Sequence, residues 1–188
     1  MLISMKIKQT DLIEDLILRT NEIIIQAEAF KQLPTKQVNW KPHPEKWSVL
    51  ECMEHLNLYG DFYLDEIENR IRKANHGSSE FFKSGWFGNY FAKSMLPKNG
   101  KIRKMKTFRD KDPTNSDLSL NTIDRFLLQQ HRVIELLNRA QYVNMDKVKT
   151  SITIPIVKLR LGDSFRVVIY HNQRHMLQAK KGNQSLSY

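Results

Sequence analysis

Six histidines stand in the chain, and three of them are placed where imidazoles can act together. In VVIYHNQRHMLQA, His171 and His175 lie four residues apart. On a helix four residues advance by about 400°, which puts the two rings roughly 40° apart and one turn up the same face. That spacing lets two ring nitrogens converge on one metal ion. Val167, Val168 and Gln178 lie beside the pair, so the face is expected to point inward. Two ligands would leave a metal incomplete. His55, in SVLECMEHLNLY, supplies a candidate third from a different segment, next to Leu56, Leu58 and Tyr59.

Three neutral imidazoles would leave an ion its full positive charge and at least one open coordination position. A water bound there becomes more acidic, and a thiol is held as thiolate near neutral pH. Glu51 lies one turn before His55 on the same face, where it can orient an imidazole N–H or relay a proton. Its competing role is structural, in a helix cap with Ser48. Tyr59 and Gln178 are candidate pocket residues or ordinary packing residues. Cys52 shows no paired base and reads as a small buried apolar residue.

Each histidine also has a plainer reading. A lone pair at this spacing occurs on solvated faces too, and His55 by itself reads as a core-edge residue bonded to a neighbour. Three inward-facing imidazoles on two helices are harder to dismiss, because burying them without partners is costly. From spacing alone, a metal site and a set of satisfied structural histidines stand equally open. His43 and His76 fall in loops and are expected in solvent. His131 can reach a pocket from inside a helix, although an exposed side chain is the preferred expectation.

Four segments with helical periodicity must position these residues. The first covers about 9–32, with Leu12, Ile13, Leu16, Ile17, Ile23, Ile24, Ala27 and Phe30 as its buried stripe, and Pro34 stops it. The second opens at Ser48, whose partner three residues on is Glu51, and continues to about 74. Trp47 precedes the cap and can pack back on the first turn. The third covers about 118–140. The fourth starts near Asp163, read as an N-cap, and runs to about 181. The long crossover between the second and third segments, about 76–117, suits an all-α four-helix bundle whose middle helices run parallel. Part of it, 81–96, is rich in aromatics and is expected to fold as a short helix over one end of the bundle. The stretch 150–161 alternates like a strand but contains Pro155 and shows no pairing partner, so extended chain is expected there.

A length of 188 residues, with 40% apolar and 27% charged residues, fits a single folded domain over 1–188 with its core at about 9–181. No apolar run approaches the roughly 18 residues of a membrane span, and MLISMKIKQT does not read as a signal peptide. One cysteine forms no internal disulfide, which makes a reducing cytoplasm the default. Composition therefore excludes a disulfide scaffold, a membrane-spanning protein and a multi-domain enzyme. The net charge of +10 is local. Between Lys93 and Lys111 eight cations face only Asp110, a net +7, which leaves +3 for the remainder.

That basic run follows Phe81, Phe82, Trp86, Phe87, Tyr90 and Phe91. Aromatics next to lysines suit a non-catalytic module that meets an anionic membrane surface or nucleic acid through 81–111. The preferred reading has the aromatics capping the core and the lysines solvated, because no recognised nucleic-acid module is present. The run can also guide an anionic substrate, such as a carboxylated thiol cofactor, toward the pocket.

The sequence resembles the DinB-like superfamily, in the branch of metal-dependent hydrolases and thiol transferases called DinB_2. The residues that carry the resemblance are Trp47-Ser48-Val49-Leu50-Glu51 with His55-Leu56, and Leu159-Arg160-Leu161-Gly162-Asp163 leading into His171, Arg174, His175 and Gln178. Gly85-Trp86-Phe87-Gly88, followed by a proline and the basic run, resembles that branch as well. The resemblance implies a four-helix bundle with up-down-down-up connectivity. It also implies zinc or nickel held by His55, His171 and His175, and a low-molecular-weight thiol or water as the activated species. The expected partner is a small-molecule substrate. Such bundles often pair through helix faces, so a homodimer and a monomer are both open.

Overall fold

The computed structural model describes residues 5–98 and 100–185. Most of this chain is helical. Helix α1 spans Gln9–Lys31 and α2 is one turn at Thr35–Val38, while α3 spans Val49–Arg72 and α4 Trp86–Met95. Helix α5 spans Asn121–Ala140 and α6 Leu161–Gln184. The long α1 packs against α5 and α6, α3 packs against the same two, and α4 lies on α6.

The periodic apolar positions explain this packing. On α1, Leu12, Ile13, Leu16, Ile23, Ala27 and Phe30 are buried, whereas the expected Ile17 and Ile24 are partly buried at the edge of the core. Helix α3 starts where the spacing places it. Ser48 Oγ accepts from Glu51 N at 3.1 Å and Glu51 Oε2 accepts from Ser48 N at 2.9 Å, a complete capping box. Leu50, Met53, Leu64 and Ile67 of α3 meet Ile123 and Phe126 of α5 and Phe165 of α6 in the fully buried core. A ladder of charges joins α3 to α5: Glu54 and Asp61 with Arg125, Asp65 and Glu68 with Arg132, and Glu68 again with Arg139.

Three features depart from the sequence expectation. The stretch 150–161 is not unpaired. Strands β3 (Lys149–Ser151) and β4 (Lys158–Arg160) form an antiparallel hairpin with Thr150 opposite Leu159. Pro155 sits in the connection, outside the ladder, so its missing N–H costs no strand bond. A second small sheet pairs β1 (Lys6–Lys8) with β2 (Phe81–Lys83), with Ile7 opposite Phe82.

Asp163 is also not the N-cap of α6, which already begins at Leu161. Its buried carboxylate instead accepts from Gly85 N at 2.9 Å, from Arg166 Nη1 at 2.9 Å and from Ser84 Oγ. Arg166 Nη2 reaches on to Asn89 Oδ1 at 2.9 Å. This polar cluster fastens the crossover to α6 beneath α4. Gly88 has no side chain because a Cβ there would run into Asp163.

Candidate metal centre

His55 is carried inward by the face of α3 that also buries Cys52 and Leu56, and is itself buried. On α6 the four-residue spacing brings His171 and His175 up beside it; His175 is buried and His171 half-buried. One ligand nitrogen from each ring falls within 4.8 Å of the others. Nε2 of His55 and Nε2 of His171 are 3.3 Å apart. Ligand nitrogens held at about 2.0–2.1 Å by a tetrahedral ion stand about 3.4 Å from one another. The pair therefore already has the separation that ligation requires.

The crossover sets the state of His55. Its Nδ1 is 2.7 Å from the carbonyl oxygen of Lys111. A carbonyl only accepts, so Nδ1 donates its proton and Nε2 presents a lone pair toward His171. Burial lowers the pKa of His55 from 6.5 to about 4. The same loss of hydration pushes His171 and His175 well below their ordinary value. All three rings are thus neutral near pH 7, the form that binds a metal. Nδ1 of His175 is buried with no hydrogen-bond partner among the described residues, an expensive state for a ring nitrogen unless something fills it. The donor set and this orphaned atom fit a divalent ion.

Aromatic rings wall the imidazoles. Trp47 lies against His55 and His175, with ring centroids 4.6 and 5.7 Å away, and its Nε1 donates to Thr114 Oγ1 at 3.0 Å. Tyr59 stands edge-on to His55 at 5.0 Å and to His171 at 4.9 Å. Burial pushes its phenol up to about 12, so it stays protonated. These rings and Gln178 line a cavity of about 1050 Å³, walled on one side by crossover residues 102–108.

Two candidates lie elsewhere. Glu51 meets no imidazole. One oxygen is spent on the cap, and the other accepts from Lys41 Nζ at 2.5 Å and from Asn115 N at 3.0 Å. Of its two candidate roles Glu51 takes the cap, and the bond that orients His55 is made by the Lys111 carbonyl. His131 is exposed on α5 and does not line the cavity. Cys52 is buried and its thiol is pushed upward by burial, which keeps it unreactive.

The crossover aromatics divide. Phe82 is fully buried, and Phe87 and Phe91 stack at 5.9 Å against the core, while Trp86 and Tyr90 are exposed. Part of the basic run is drawn to α6. Arg174 Nη2 donates to the carbonyl of Arg103, and Lys181 Nζ donates to that of Gly100 at 2.5 Å. Burial lowers the pKa of Arg174. The Lys111 carbonyl and the setting of Arg174 were not foreseeable from residue types. The first is a main-chain atom, and the second depends on which loop covers α6.

A family model described as the DinB superfamily matches residues 26–179. The chain belongs to the DinB superfamily. The matched span of this DinB-superfamily chain holds all three imidazoles, Trp47, Tyr59, Gln178 and the whole crossover. No curated protein and no solved structure matches the chain. Among the described residues, no helix is long and apolar enough to cross a membrane.

Proposed function

We propose that this DinB-superfamily chain is a divalent-metal-dependent enzyme in which His55, His171 and His175 hold zinc or nickel. Its reaction would activate a thiol or water for transfer to, or hydrolysis of, a small molecule in the cytoplasm. The observation that carries the reading is the convergence of three neutral imidazoles, with His55 Nε2 and His171 Nε2 at ligand spacing and His175 Nδ1 buried without a partner among the described residues. A bound divalent ion would supply Lewis acidity, making a coordinated water or thiol nucleophilic near neutral pH.

The chain's own groups do the rest. The Lys111 carbonyl holds the proton on His55 Nδ1 and keeps Nε2 free. Trp47 and Tyr59 restrict how the rings turn and exclude water from their flanks. The cavity of about 1050 Å³ has room for two small reactants side by side.

The bundle topology belongs to the same reading. Along α3 and α5 the ion pairs advance in the same direction on both helices, from Glu54–Arg125 to Glu68–Arg139, while His55 and Tyr59 of α3 meet His175 and His171 of α6 in reverse order. This register supports a single four-helix-bundle domain with up-down-down-up connectivity. A non-catalytic module acting through 81–111 is less well supported, since Phe82, Phe87 and Phe91 pack on the core and 102–108 wall the cavity.

Metal analysis of protein purified from a metal-replete host tests the proposal. We expect close to one zinc or nickel per chain, lost in a His171→Ala/His175→Ala double variant. Metal-free wild-type protein overturns it.

A further inference from the structure

Arg174 sits on α6 immediately before His175 and three residues after His171, on the face that lines the cavity. It is only 4% exposed. Nη2 donates to the Arg103 carbonyl, but Nη1 is buried with no partner among the described residues. Among the described residues no carboxylate forms an ion pair with it. A guanidinium stays charged at any physiological pH, and a buried charge without a counter-ion is costly.

Arg166, on the same helix and 1% exposed, shows the contrast. It is matched by the Asp163 carboxylate at 2.9 Å. Burial of an arginine in this fold therefore does not by itself leave the cation unmatched. The rest of the cavity wall repeats the imbalance. Lys46, Arg103, Lys104, Lys106 and Lys181 line it, against Glu45 and Asp112. Asp112 Oδ1 already accepts from the amide and hydroxyl of Thr114.

We propose that Arg174 is the anchor for an oxyanion, a carboxylate or phosphate, on the small molecule that occupies this cavity. The inference rests on reading the cavity as a substrate site, and it deepens that reading by naming the substrate class as anionic. An oxyanion at Nη1 would supply the counter-charge that the described residues do not, in the planar geometry guanidinium offers. Its reacting end would face the imidazoles one turn along the same helix face. The lysines at the rim would add to the field that draws it in.

Titration calorimetry of metal-free protein with succinate and, separately, inorganic phosphate tests this without depending on the metal. We expect at least one of them to bind, with affinity falling about tenfold in Arg174→Gln and less in Arg174→Lys, which keeps the charge. Succinate alone would mark a carboxylate site, phosphate alone a phosphate site, and both a general oxyanion site. Absence of binding by either, or equal affinity in wild type and Arg174→Gln, overturns the proposal. If Arg174→Gln does not fold, NMR of the wild type decides. The Arg174 Nε–H resonance should move on titration while that of Arg166 stays fixed. An unmoved Arg174, or both moving together, overturns it. A failed metal analysis with a positive oxyanion titration would reject the metal reading and keep this one.

Discussion

Nδ1 of His55 and the carbonyl oxygen of Lys111 are 2.7 Å apart, so a main-chain atom of the crossover fixes the tautomer of a histidine on α3. Long-range nitrogen–proton NMR of metal-free protein should find His55 protonated at Nδ1, with a lone-pair signature at Nε2. The opposite tautomer would break the link between the crossover and the centre.

Burial lowers the His55 pKa from 6.5 to about 4 and holds His171 and His175 well below their ordinary value. In the unfolded chain these rings bind protons below about 6.5. Between that pH and about 4 the unfolded state therefore holds more protons, and stability falls as pH falls. His55 contributes up to about 1.4 kcal/mol per pH unit in that window, and the other two rings act in the same direction. Urea unfolding of metal-free protein at pH 7.5 and pH 5 should show a clear loss at the lower pH. A His55→Gln/His171→Gln/His175→Gln variant should flatten the dependence.

Glu51 is committed to the cap, to Lys41 and to Asn115. Glu51→Ala should cost about 2 kcal/mol of stability, through the lost cap and the donors left without an acceptor. Metal stoichiometry should hold at the wild-type value. Loss of metal from a folded Glu51→Ala protein would show that this carboxylate acts at the centre after all.

Asp163→Ala would leave Arg166 buried beside Ser84 without its carboxylate. We expect a loss of about 3–5 kcal/mol, the usual result of removing one partner of a buried ion pair. Asp163→Asn should fall between that variant and the wild type, since it keeps an acceptor. Thermal unfolding of the three proteins checks the order.

The parts of this molecule that depend on neighbours in sequence could be read from it. Ser48 and Glu51 cap α3 because three residues separate them, and His171 and His175 share a face because four do. Choosing His55 as the third ring needed only its place on the buried face of a second helix. Other features needed partners far along the chain. Strands β1 and β2 have three residues each, too few to announce a pairing. Asp163 follows a glycine near a helix start and so imitates an N-cap, yet Ser84, Gly85 and Arg166 take its oxygens. Of the two roles open to Glu51 the cap with Ser48 was legible from spacing, whereas its ties to Lys41 and Asn115 were not, because those residues come from outside α3. The β3–β4 hairpin was hidden by Pro155, which lies in its turn.

Because Lys111 contributes through its backbone, the identity of its side chain is unconstrained by the bond to His55. What is constrained is chain length. A few residues further on, Asn115 N is tied to Glu51 Oε1, so the chain from 111 to 115 is pinned at both ends to one helix. Adding or deleting a single residue there should disturb His55 more than most replacements of the residues themselves, making that span tolerant of spelling and intolerant of count.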